Sequence, residues 1–84
     1  MKPAAIELTL MTRPGCHLCE EMKHALEQAA RGLEVRLQEV DISQSQELES
    51  RFGNDIPVLL VNGSRAFKHR ATVDELRRRL RREI

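Results

Sequence analysis

The chain has 84 residues, a length that fits one domain. Charged residues make up 32% and apolar residues 40%, as in globular proteins, and the net charge of +1 gives no argument for nucleic-acid binding. No apolar run approaches the roughly 20 residues of a membrane span. Residues 1–5 lead into a short apolar stretch broken by Glu7, so we expect no signal peptide and a cytoplasmic protein.

Two segments of different periodicity flank the cysteine pair. Apolar and polar side chains alternate over residues 6–10, which predicts a strand that Pro14 and Gly15 terminate. From Cys16 to about residue 31 the apolar side chains recur at the spacing of one helix face. The sequence therefore predicts a strand, a tight loop and a helix, with the cysteines at the start of the helix.

The middle of the chain predicts a second strand and a short second helix. Residues 33–38 alternate between apolar and polar, as in a half-exposed strand. The apolar phase slips after Glu39, where we expect the strand to end or to bulge. Ser43 or Ser45 is suited to cap a short helix that runs to about Phe52.

The last third of the chain predicts a hairpin followed by a helix. Residues 58–61 form a continuous apolar run, typical of a strand covered on both faces, and Asn62-Gly63 favours a two-residue hairpin turn into a partner strand at 65–68. The expected inner face of the helix consists of Val73, Leu76, Leu80 and Ile84.

The element order β-α-β-α-β-β-α predicts an α/β protein. The first βαβ unit requires a right-handed crossover and a parallel strand pair. The hairpin adds two antiparallel strands, which gives a mixed four-stranded sheet with helices on both faces. We expect residues 1–84 to form this single domain, with Thr72 and Glu75 as a capping box that opens the last helix.

Cys16 and Cys19 form a CxxC at the predicted helix start. Residues three apart lie on nearly the same helix face, so the two sulfurs are able to meet. The free N–H groups and the positive dipole end of a helix N-terminus favour a thiolate. Cys16, at the helix edge, is predicted to be the nucleophile, and Cys19, one turn inside, the resolving thiol.

The charged neighbours of the dithiol act in opposite directions. Arg13, and His17 if protonated, favour the Cys16 thiolate through their charge. Glu20 and Glu21 oppose it, although acidic residues also suit a helix N-terminus for structural reasons alone. The sequence leaves the balance between these influences open.

A metal site is the main alternative use of two cysteines. A self-contained zinc site usually has four ligands, and only His17, His24 and His69 are available to complete one. His17 lies between the cysteines and His24 lies off their helix face. We therefore expect ordinary surface histidines and no metal site.

The arginine-rich segment at residues 77–82 has two interpretations. As the outer face of a packed helix it would be solvated, and its cations would complement the helix dipole. Alternatively it is a basic surface for an acidic partner or for nucleic acid. The chain has two phenylalanines and no other aromatic residue, which argues against a base-stacking platform.

Two motifs resemble one known family. Residues 8–19, LTLMTRPGCHLC, resemble the active-site entry of small glutaredoxin-like proteins of the thioredoxin fold, and residues 55–59, DIPVL, resemble their cis-proline segment. The resemblance extends over essentially the whole chain in element order. It implies a cis-Pro57 beside the dithiol, an Ile56 backbone that meets an extended substrate or glutathione, and an Arg13 that helps to hold a glutathione carboxylate.

One segment departs from the family pattern. Glutaredoxins carry Gly-Gly after the last strand and then an Asp that binds the amino group of glutathione, whereas residues 67–74 read FKHRATVD. Thr72 and Asp74, at the start of the last helix, remain candidates for facing the ligand.

These observations predict a monomeric thiol–disulfide oxidoreductase without a bound organic cofactor. Its substrates would be disulfides of proteins or small molecules, and its reductant glutathione, as a possible co-substrate, or a dithiol protein. One alternative is an iron–sulfur or metal carrier, in which Cys16 ligates across a dimer and glutathione supplies further thiolates. Another is a redox-inactive interaction module that uses the arginine-rich helix.

Overall fold

A computed structural model describes residues 5–84, so residues 1–4 of the segment considered above for a signal peptide lie outside the described residues. The predicted order of elements is confirmed. The elements are β1 (Ile6–Thr12), α1 (His17–Ala29), β2 (Val35–Asp41), a 3₁₀ helix (Ile42–Gln44), α2 (Gln46–Phe52), β3 (Val58–Val61), β4 (Ser64–Lys68) and α3 (Val73–Arg81).

The four strands form one mixed sheet in the order β2-β1-β3-β4. β1 and β2 are parallel, which is the pairing that the βαβ unit requires. β3 runs antiparallel to both β1 and β4, and the register places Met11 opposite Val58. The carboxyl end of β1 therefore lies beside the start of β3. The loops at these two points lie together at one end of the strands.

Each face of the sheet has its own apolar core. On one face, Leu8 and Leu10 pack against Met22 and Leu26 of α1 and against Leu76 of α3. The second face holds a smaller cluster of buried residues beneath α2, made of Met11, Ile42, Phe52 and Val58. The predicted placement of helices on both faces is confirmed.

The expected strand end or bulge after Glu39 is wrong. β2 continues to Asp41, and its pairing with β1 keeps one register up to Thr12 opposite Asp41. The apolar phase slips because the covered face changes: Leu37 packs against the α1 and α3 core, whereas Val40 packs against the cluster beneath α2. A register irregularity occurs elsewhere, between Leu59 and Leu60 in the pairing of β3 with β4.

Both long helices are shorter than the sequence pattern suggests. α1 ends at Ala29 rather than near residue 31. α3 ends at Arg81, so the prediction that Ile84 belongs to its inner face is wrong, and this side chain is 79% exposed. Leu76 and Leu80 are fully buried as expected.

The locally encoded turns and caps form as predicted. Asn62 and Gly63 have φ values of 49° and 85°, which suits the tight turn between β3 and β4. The Ser45 hydroxyl accepts a hydrogen bond from the Leu48 N–H at 3.3 Å and so caps α2. Within residues 5–84, no helix is long and apolar enough to cross a bilayer.

Candidate active site

The two cysteines lie in the turn between β1 and α1. Gly15, with a φ of 78°, makes the turn, and the Cys16 N–H donates to the Arg13 carbonyl at 3.2 Å. Cys16 is the N-cap of α1, and Cys19 lies in its first turn. They are joined as a disulfide with their Cα atoms 5.2 Å apart, well within the range that a disulfide spans.

The two sulfurs have different environments. Cys16 is partly exposed, whereas Cys19 is 2% exposed and belongs to the buried residues of α1. The Cys16 Sγ accepts the Cys19 backbone N–H at 3.2 Å, in the place where an N-cap oxygen usually sits. A thiolate at this position would receive the free N–H groups and the positive end of the helix dipole.

The Arg13 side chain is paired with α2. Its guanidinium donates to the Glu49 carboxylate through Nη2 at 2.6 Å and through Nε at 3.2 Å. This bidentate hydrogen bond raises the pKa of Arg13 above its ordinary value. The charge of Arg13, which the sequence assigns to Cys16 or to a glutathione carboxylate, is thus largely compensated by Glu49.

The acidic neighbours on α1 remain at the surface. Glu20 is exposed, and Glu21 lies 3.7 Å from the His17 ring in an i,i+4 pair. One turn further on, Lys23 forms an ion pair with Glu39 of β2 at 3.0 Å, and the hydrogen bond to Glu39 raises the pKa of Lys23. Both glutamates near the dithiol are solvated, which weakens their effect on the sulfurs.

The Ile56–Pro57 peptide bond is cis, as the resemblance predicts. Pro57 is buried and immediately precedes β3, so the register places it beside the end of β1, from which the cysteine turn leaves. The Ile56 side chain packs against the cluster beneath α2. Both residues therefore lie at the end of the sheet where β1 stops and β3 begins, which also carries the dithiol.

His69 connects the proline loop to the segment after β4. Its backbone N–H donates to the Pro57 carbonyl at 2.8 Å, and its ring Nε2 lies 3.1 Å from the Asn54 carbonyl, which can only accept a hydrogen bond. The φ of His69 is 65°, a left-handed conformation that is uncommon outside glycine. Spacing along the chain does not predict this role of His69, although the resemblance to glutaredoxins places a glycine pair after the last strand.

A cavity of about 290 Å³ lies between α1 and the segment that leads into α3. Leu18 and Met22 line it on one side, and Arg70 and Thr72 on the other. The Thr72 Oγ1 accepts a hydrogen bond from the Glu75 N–H at 3.1 Å, and the Thr72 N–H donates to the Glu75 Oε1 at 2.9 Å. The proton of the Thr72 hydroxyl therefore remains available to a ligand.

The predicted substrate residues are thus divided around the dithiol. Thr72 borders the cavity beside α1, whereas Arg13 points to α2. Asp74 is exposed on the first turn of α3 and does not line the cavity. Their roles in substrate binding, like the catalytic roles of Cys16 and Cys19, stay predictions.

The histidines considered as metal ligands lie apart from one another. His17 is largely exposed beside Glu21, His24 is exposed, and the His69 ring faces the Asn54 carbonyl. Across residues 5–84, no three His, Cys, Asp or Glu side chains converge as they would around a metal ion.

The sheet order, the flanking helices, the CxxC at the start of α1 and the cis-proline before β3 define a protein of the thioredoxin fold with a CxxC pair. Solved structures agree with this fold. A mutant thioredoxin from Halobacterium salinarum NRC-1 has a TM-score of 0.67 at 18% identity, over 94% of this chain and 74% of that protein.

More similar relatives define the family. Residues 7–81 match the model of the Glutaredoxin-like domain (DUF836), and the chain belongs to this family. The protein XcR50 from X. campestris is 35% identical with a TM-score of 0.78, over 89% of this chain and 96% of its own. The Glutaredoxin-like protein YDR286C homolog from Dictyostelium discoideum is 32% identical, over 86% of this chain and 72% of its own.

Proposed function

We propose that the protein is a thiol–disulfide oxidoreductase that works through Cys16 and Cys19. The observation that carries the proposal is the asymmetric dithiol at the start of α1. The partly exposed Cys16 sulfur is accessible to a substrate and lies where a helix N-terminus stabilises a thiolate, whereas Cys19 is buried within bonding reach of it. Membership of the glutaredoxin-like family supports the same chemistry.

The exchange proceeds in two balanced steps. The Cys16 thiolate attacks one sulfur of a substrate disulfide, which forms a mixed disulfide and releases the first substrate thiolate. The Cys19 thiolate then attacks the Cys16 sulfur, which forms the Cys16–Cys19 disulfide and releases the second substrate thiolate. The substrate gains two electrons and the protein loses two. Glutathione or a dithiol protein restores the reduced state by the same exchange in reverse.

The cis-proline loop beside the dithiol supports a proposal for the substrate-facing residues. We infer that the Ile56 backbone pairs with an extended substrate or with glutathione beside the dithiol. The Thr72 hydroxyl and Asp74 would meet the polar end of that ligand, and Arg13 would meet a carboxylate after leaving Glu49. We place the protein in the reducing cytoplasm as a monomer with no resident cofactor, where a lone CxxC remains available for exchange.

Two cysteine variants test the proposed roles. Each reduced variant is mixed with glutathione disulfide and read by intact mass after alkylation. Cys19→Ser should accumulate one glutathione on Cys16, because the mixed disulfide forms and has no resolving thiol. Cys16→Ser should gain far less in the same time, because Cys19 is buried. The wild type should end mainly as the intramolecular disulfide.

The opposite pattern would overturn the assignment. Rapid glutathione capture by Cys16→Ser, with an inert Cys19→Ser, would make Cys19 the nucleophile. A wild-type protein whose two thiols stay reduced in excess glutathione disulfide would exclude the proposed function altogether.

A further inference from the structure

The arginines of the 77–82 segment divide into two groups. Arg77 donates to the carbonyls of Ala29 and Arg31 at 3.3 Å each, and so ties α3 to the end of α1. Arg79 is paired with Glu83, which follows the end of α3. Arg78 and the C-cap residue Arg82 form no ion pair within residues 5–84, and together with Arg79 they line a groove against β4.

This groove has a volume of about 510 Å³ and a mixed lining. Ala66 and Phe67 of β4 give it an apolar floor. Arg65 also borders the groove from β4, but its guanidinium is held at α2 by the ion pair with Asp55 at 3.3 Å and by stacking over the Phe52 ring at 5.0 Å. Arg78 and Arg82 are therefore the cations of the groove that form no ion pair within residues 5–84, in a chain of almost zero net charge.

The groove continues from the cavity beside the dithiol. Glu75 lines both spaces, so they follow one another along α3. From Thr72 to Arg82 the helix rises about 15 Å at 1.5 Å per residue. An extended chain covers that distance in about five residues. About five residues of an extended peptide would thus run from Thr72 to Arg82, in addition to those between its cysteine at Cys16 and Thr72.

We propose that this groove, with Arg78 and Arg82 as its cations, binds an acidic, extended segment of the protein disulfides on which the dithiol acts. The inference rests on the proposed function and names its substrate class. Charge complementarity selects an acidic ligand. β4 is at the edge of the sheet and has β3 as its only strand neighbour within residues 5–84, so an extended peptide is able to hydrogen-bond along it.

A peptide fits the groove better than a nucleic acid or an anionic membrane. Glu75 at one end, and Glu83 beside Arg79, place negative charge where a continuous polyanion would pass. The apolar floor suits the side chains of a peptide that alternate with its acidic ones. An extended acidic segment matches both the cations and the sheet edge.

Binding is tested without any redox step. A labelled extended peptide that contains Asp and Glu, but no cysteine, is titrated with the full chain and followed by fluorescence anisotropy, alongside its Asn and Gln counterpart. The acidic peptide should bind about 3- to 10-fold more tightly at low salt, and the difference should vanish at about 0.5 M salt. Equal affinity of the two peptides would overturn the inference.

Charge variants locate the binding surface. R78Q with R82Q should remove the preference for the acidic peptide, and R78K with R82K should restore most of it. The matched control is R81Q, an exposed arginine on the same helix that does not line the groove, and it should keep the preference. An equal loss in R81Q, or tighter binding of duplex DNA or phosphatidylserine vesicles than of the peptide, would replace the groove by a general polyanion surface.

Kinetics separate this inference from the proposed function. Two peptides are compared that carry a glutathione mixed disulfide more than about five residues from an acidic or a neutral cluster. The acidic one should have a KM about 3- to 10-fold lower with a similar kcat. Turnover of both at the same KM would overturn the docking inference and leave the oxidoreductase standing. Binding of the acidic peptide without turnover of either peptide would overturn the proposed oxidoreductase and leave the acidic-peptide site standing.

Discussion

His69 holds two loops together from a strained backbone position. A non-glycine residue in the left-handed region costs roughly 1 kcal/mol, so its contacts must offset that cost. They are the N–H donated to the Pro57 carbonyl at 2.8 Å and the ring Nε2 at 3.1 Å from the Asn54 carbonyl. His69 therefore ties the segment after β4 to the loop that forms one wall of the candidate active site.

His69→Gly should unfold at a higher urea concentration than His69→Ala. Both variants lose the ring contact with Asn54, but only alanine keeps a Cβ in a backbone with a φ of 65°. We expect glycine to be more stable by about 1 kcal/mol, measured as the difference in the free energy of unfolding from circular dichroism.

The control for this pair reverses the order. Glu27 is exposed within α1, and there Glu27→Ala should be more stable than Glu27→Gly by about 1 kcal/mol, because glycine is a poor helix former. If His69→Ala also had the higher free energy of unfolding, the left-handed backbone at position 69 would not be maintained in solution.

The N-terminus of α3 depends on one carboxylate. Glu75 accepts the Thr72 N–H at 2.9 Å, and the hydrogen bonds with Thr72 lower the pKa of Glu75. A carboxylate with a lowered pKa in the folded state stabilises the fold at pH values above its unfolded pKa, which is about 4.3. That contribution is lost as the pH falls through the folded pKa.

Glu75→Gln should therefore be less stable than the wild type at pH 7 and nearly as stable at pH 3. The glutamine amide oxygen still accepts from the Thr72 N–H, so the variant keeps the cap and loses only the titrating charge. Urea unfolding midpoints at the two pH values measure the difference. A gap of constant size across this range would show that the charge of Glu75 does not stabilise the cap.

Elements encoded by neighbouring residues were predictable from the sequence. Asn62-Gly63 and the Thr72–Glu75 box each act over a few residues, and both form as expected. The face change at Val40 was not predictable in the same way, because it depends on α2 covering the second face of the sheet. The exposure of Ile84 likewise depends on where α3 stops packing.

The candidate site likewise combines a locally encoded feature with contacts between distant segments of the chain. The CxxC at a helix start is a local pattern, and the structure has it where the sequence places it. Arg13 finds its partner 36 residues away in Glu49, and the His69 N–H bonds the carbonyl of Pro57 on another loop. Spacing along the chain does not encode such contacts, since only the assembled sheet brings these segments together.

At the scale of the whole molecule, the stability of the fold and the reduction potential of the dithiol are separate quantities. The reduction potential depends on how the free energy of the protein differs between its disulfide and dithiol states. A substitution that destabilises both states equally leaves that difference unchanged. Effects of sites more than about 7–10 Å apart usually add, so a distant part of the core should lower stability without changing the potential.

Leu26→Ala should separate these two quantities. Leu26 is buried between the sheet and α3, seven residues and about 10 Å along the helix from Cys19. We expect a loss of about 2–5 kcal/mol in the free energy of unfolding. The potential, measured in glutathione buffers by mass after alkylation, should move by less than about 10 mV, since 30 mV corresponds to about 1.4 kcal/mol.

Ile42→Val, in the cluster beneath α2, provides a milder control with the same expectation. A shift of about 30 mV or more in Leu26→Ala would mean that core packing favours one redox state, and that the protein responds to oxidation as one cooperative unit.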